Sequence, residues 1–248
     1  MRAERAGLAV VLVAAIALSW AYLAWMASDM AAGAGATVAH CAAMPGMTSS
    51  SPVYLWWLFV MWSVMAVAMM LPTALPLVVL FAAAHRRRYP RRSLVGPSLR
   101  LVLGYLLVWF GFGAAAAVVQ WALEQIDALA PVVGELRSPR VGGLVLVGAG
   151  LFQATSLKAR CLTECRSPLS FLMTRWRGAL AMGAEHGAYC LGCCWALMLV
   201  MFVVGVMNLF WMAALAIVML LEKVAPRGDL VARATGVALV VLGVVRLL

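Results

Sequence analysis

The sequence predicts an all-α fold, a polytopic bundle of about seven transmembrane helices with its N-terminus in the cytoplasm. Three observations carry that expectation. Of the 248 residues, 66% are hydrophobic and only 11% are charged, a balance that cannot clothe a soluble globule in polar side chains. The apolar residues fall in runs close to the roughly 20 that a helix needs to cross hydrocarbon, and they do not alternate as barrel strands would. The arginines and lysines gather in short segments between those runs, where the positive-inside rule places them.

Spans are expected near residues 8–26, 53–83, 99–123, 141–157, 182–206, 209–224 and 230–248. Together they form a single integral membrane domain over 1–248, in which 1–52 supply an anchor span and an outer loop and 53–248 supply the core. The first span has the Arg-then-apolar order of a signal peptide. Its apolar stretch exceeds the usual ~7–15 residues, however, and carries Trp20 and Trp25, so an uncleaved anchor is the better reading. The second run contains Pro72 and Pro76, each without an amide donor, which predicts a kink or a break in its second half. The stretch 182–224 would measure ~65 Å as one helix, about twice the hydrocarbon thickness. It must fold back, and Met207-Asn208 is the expected place.

The net charge of +10 does not point to nucleic acid, because no soluble basic face is present to bind it. "HRRRYPRR" at 85–92 lies between the second and third spans. Lys158, Arg160, Arg166, Arg175 and Arg177 lie between the fourth and fifth, and Lys223 and Arg227 between the sixth and seventh. With Arg2 and Arg5 these place every basic segment but Arg137 and Arg140 on the cytoplasmic side. The expected location is therefore the bacterial inner membrane, with the lipid bilayer as first partner.

The chemistry concentrates in "EHGAYCLGCCWALM", residues 185–198. At 100° per residue, His186, Cys190, Cys193, Cys194 and Met201 project within roughly a 100° arc of one helix face. A single buried cysteine is usually a small hydrophobe, and a single histidine usually bonds a neighbouring helix. Three thiols and an imidazole on one intramembrane face point instead to function, since ionisable groups there are expensive. Thiolate, thioether and imidazole are soft or borderline donors, which favours Cu(I) first and zinc second over calcium or magnesium.

Other soft donors accompany this face. "MWSVMAVAMMLP", residues 61–72, places Met61, Met65 and Met69 four apart on one stripe, although methionine also fills irregular cores. "CLTECR" offers Cys161 and Cys165, neighbours if that segment is helical, in an expected cytoplasmic loop suited to metal hand-off. "HCAAMPGM" adds His40, Cys41, Met44 and Met47 in the outer loop.

The stretches "MWSVMAVAMMLP", "CLTECRSPLSF", "HGAYCLGCCWALM", "VGVMNLFWM" and "LLEK" together resemble a bacterial family of predicted metal-binding integral membrane proteins. The likeness covers most of the chain beyond the first span, and "HG..C.GCCW" is its most specific part. It implies a metal-binding membrane protein with His186, Cys190, Cys193 and Cys194 as ligands, and it supplies no reaction. The "HCAAMPGM" loop is not part of the likeness.

Copper handling is thus the leading expectation: Cu(I) at the cysteine face, reached from the outer loop through the methionine stripe, with a copper donor or acceptor protein as partner. A second class is a thiol-disulfide electron relay built on the Cys190-x-x-Cys193 spacing. A third is a metal-dependent membrane enzyme or assembly factor, for which Glu185 and Glu222 are acid-base candidates, set against the plainer reading that both are solvated or paired.

Overall fold

The computed structural model describes residues 2–31, 52–130, 134–176 and 178–248. The described chain folds into ten helices, with one isolated bridge between Leu129 and Leu136 and no strand among the described residues. They are α1 (Arg2–Ala31), α2 (Pro52–Arg88), α3 (Val95–Gln125), α4 (Pro139–Phe152), α5 (Ser156–Arg166), α6 (Pro168–Thr174), α7 (Ala179–Leu199), α8 (Met201–Val204), α9 (Leu209–Val224) and α10 (Gly228–Leu247). The residues around His40 and Cys41, together with Arg177, lie outside the described set.

Five stretches are long and apolar enough to cross a membrane: α1, α2, α3, α10 and the continuous run of α7 with α8. A sixth is added if α4 and α5, bent by 62° at their junction, count as one. Two features set this count of long apolar helices below the seven expected spans. The helix α9 has only 16 residues, a length of ~24 Å that falls short of the hydrocarbon thickness. The expected straight span over 141–157 breaks at Gln153, and Thr155 caps a new helix by accepting from the Lys158 amide.

The fold-back expected near Met207-Asn208 is present. Gly205 adopts φ 91°, a left-handed conformation open to glycine, and the Asn208 side chain accepts from the Trp211 amide to start α9. At the prolines the helix does not break, and α2 runs on through Pro72 and Pro76. Pro72 cannot donate to the carbonyl four residues earlier, that of Ala68. The Trp20 indole N–H of α1 donates to that oxygen at 3.1 Å instead.

The helix α7 packs most extensively on α3 and next on α5, while α4 pairs with α10 and α2 with α3. The helix α7 therefore meets α2 little, since α3 and α5 take up most of its packing. Glycine permits the closest crossing. A Cβ on Gly183 would lie 1.9 Å from the Leu101 carbonyl oxygen, and one on Gly104 2.0 Å from that of Leu180. Backbones this close are the small-residue packing that helices use where no hydrophobic force drives them together. Gly183→Val is accordingly expected to separate α3 from α7 and lower thermal stability in detergent by more than the ~1–3 kcal/mol of ordinary overpacking. A variant that melts with the wild type would refute this account of the crossing.

Candidate metal centre

The period of α7 puts Met182, Gly183, His186, Gly187, Cys190, Cys193, Cys194, Leu197 and Met198 in the interior, while Trp195 turns outward. The face read from the sequence is thus the buried face. Cys190, Cys193 and Cys194 are at most 1% exposed and His186 3%. The sulfurs of Cys193 and Cys194 are 3.4 Å apart, and the Cys193 thiol donates to the Cys190 carbonyl at 3.2 Å.

The fourth thiol comes from α5. Cys165 Sγ lies 3.9 Å from Cys193 Sγ, and Cys190 interacts with the thiols of Cys165, Cys193 and Cys194. The spacing of Cys161 and Cys165 is helical as expected, but their place is not a solvated loop. Both are 9% exposed and face α7. Gly192 makes that approach possible, because a Cβ there would meet Cys161 Sγ at 2.7 Å. All five described cysteines are unpaired.

Two further side chains meet Cys190 and a third, Thr73, bonds to both of them, none of them anticipated at this position. Lys223 Nζ of α9 donates to its sulfur at 2.8 Å and to Thr73 Oγ1 of α2 at 3.1 Å. The Tyr105 hydroxyl of α3 lies 2.9 Å from the same sulfur and donates to the Met70 carbonyl at 3.0 Å. Thr73 Oγ1 also donates to that carbonyl, at 2.8 Å. An ammonium against sulfur supplies the counter-charge that a buried thiolate requires.

His186 sits one turn from Cys190 between the rings of Tyr105 and Phe171, whose centroids are 6.0 and 5.5 Å away. Its Nδ1 is buried and has no hydrogen-bond partner. A satisfied core histidine would have one. Met65 and Met69 are 0% and 1% exposed and belong to the same core cluster as the four thiols.

The acid-base candidates resolve into ion pairs. Glu222 is fully buried, accepts from Lys158 Nζ at 2.5 Å and from Gln153 Nε2 at 3.1 Å. Glu185 pairs with Arg175. Lys158 and Lys223, expected as loop charges, are 1% and 8% exposed, because each has a partner inside the bundle. The signal that would have located them is their position at the edge of apolar runs, where a lysine without solvent must find an acceptor.

Among the described residues no three His, Cys, Asp or Glu side chains stand as a ready-made metal cage. Pairs of sulfurs separated by 3.4 and 3.9 Å are nonetheless close enough for both members to lie about 2.3 Å from one ion, the distance of metal–thiolate bonds in tetrahedral sites.

Fold and site together define a class, an all-helical bundle that gathers thiols from two helices in an apolar core. A family model described as a copper chaperone, PpoB2, matches residues 59–246. The chain belongs to this copper chaperone family. Among curated proteins and among solved structures no match is found.

Proposed function

We propose that the protein is an integral membrane copper chaperone that holds Cu(I) as cargo at the thiols of α5 and α7 and passes it to a partner protein by ligand exchange. The observation that supports this most directly is the convergence of Cys165, Cys190, Cys193 and Cys194 from two helices, with the unpartnered His186 Nδ1 one turn away. Family membership supplies copper, and the softness of sulfur supplies the oxidation state. Cys161 lies against Gly192 at the edge of the same cluster and serves exchange with the partner rather than resident binding.

The reading of a bacterial inner membrane protein with residues 86–92 on the cytoplasmic side is supported by the long apolar helices and by the positive-inside rule applied to the arginines of that segment. Zinc is the second-choice cargo, because the same thiolates bind it.

Metal analysis of protein purified in mild detergent, together with thiol counting before and after reductant, tests the reading. The expected result is bound copper with all cysteines reduced. Protein that carries no metal and an oxidised Cys190–Cys193 pair would overturn it in favour of the electron relay.

A further inference from the structure

The hydrogen bonds that join Thr73, Lys223 and Cys190 fix the relative heights of α2, α9 and α7. Counting from this level toward the end of the bundle where α8 turns into α9, four residues along each helix lead to Met69, Met219 and Cys194. At 1.5 Å per residue all three stand ~6 Å above the anchor. Eight residues lead to Met65 on α2 and Met198 on α7, ~12 Å up. Eleven or twelve lead to Met61, Met201 and Met212, ~17 Å up.

Each of these methionines is between 0% and 6% exposed, and all belong to the core cluster that contains the thiols. Methionine as irregular filler would be scattered through the interior. From Cys194 toward that end, buried thioethers recur at similar heights on α2, α7, α8 and α9, while of the other buried methionines Met70 lies beside the anchor level on α2 and Met182 lies on its far side on α7.

We propose that these methionines form a three-step thioether ladder along which Cu(I) moves between the α8–α9 end of the bundle and the thiol site. The proposal rests on the copper reading above. Each step exchanges one neutral sulfur donor for another, so the ion moves without electron transfer and without gaining or losing a proton. Neutral thioethers leave the cation's charge uncompensated, so they hold it weakly. At the end of the ladder a cysteine takes the ion as thiolate, giving up its thiol proton as the ion arrives, and the anionic sulfur holds it tightly. Affinity therefore rises along the ladder and directs the ion inward.

The test measures transfer of Cu(I) from a chromophoric chelator to the full-length protein by stopped flow. Met65→Leu with Met198→Leu is close to volume-conserving. It is expected to leave the final Cu(I) stoichiometry unchanged and to slow loading by about tenfold. A second measurement keeps the native packing: selenomethionine-labelled protein carrying Cys190→Ser and Cys193→Ser is given Ag(I), and selenium-edge absorption is expected to show selenium–silver scattering. Wild-type protein that accepts no Cu(I) would sink the copper reading itself. Normal wild-type loading with an unchanged rate in the leucine variant, or labelled protein without selenium–silver scattering, would overturn the ladder and leave the thiol site standing.

Discussion

Replacing Cys190 and Cys193 together by serine is expected to abolish copper binding while the fold survives. Serine has nearly the same shape, and its hydroxyl at 190 can still accept from Lys223 and meet the Tyr105 hydroxyl, the two contacts Cys190 makes across the bundle. What disappears is the soft donor. Outer-shell partners of a metal typically account for roughly 10–100-fold in affinity, and loss of two direct ligands should exceed that. His186→Ala is expected to weaken binding less, because thiolates alone can hold Cu(I). Titration with a competing Cu(I) chelator measures both variants, and a double serine variant that keeps full stoichiometry would remove these cysteines from the site.

The second large effect is expected at Glu222→Ala. Lys158 is 1% exposed and its ammonium lies 2.5 Å from the Glu222 carboxylate, so truncation leaves a buried cation without its counter-charge. Breaking such a pair costs about 3–5 kcal/mol, which at roughly 2–4 °C per kcal/mol for a chain of this size lowers Tm by ~6–20 °C. Removing both charges with Lys158→Met and Glu222→Leu should restore most of that loss, since a buried ion pair and a well-packed apolar pair are often close in stability. Thermal unfolding in detergent decides the matter. A single variant that melts within a degree or two of wild type would show that Lys158 finds another partner or reaches solvent.

The face of α7 was legible because helical periodicity is a local property. His186, Cys190, Cys193 and Cys194 fall within one arc whatever the rest of the chain does, and burial of that arc followed from their chemistry. Lys223, Tyr105 and Thr73 were not legible as its partners. Their separations from Cys190 are 33, 85 and 117 positions, and only the crossing of α2, α3 and α9 brings Lys223 and Tyr105 to one sulfur with Thr73 bonded beside them. Cys165 was recognised as a candidate but assigned to a loop, since Lys158 and Arg160 nearby looked like solvated charges. Arg160 is indeed exposed, whereas Lys158 turns inward to Glu222. Fewer long apolar helices than seven spans are seen for a related reason: hydropathy measures how apolar a segment is, but α9 ends at 16 residues and α4 bends into α5.

The bond from Trp20 to the Ala68 carbonyl also bears on the order in which the protein is made. A ribosome completes α1 before Pro72 leaves the exit tunnel. In the membrane setting proposed above, the Ala68 carbonyl of α2 would otherwise stand bare in hydrocarbon at a cost of several kcal/mol, and the indole that relieves it belongs to a helix already synthesised. The first helix, which lies outside the matched family region, thus serves as a built-in midwife to the second.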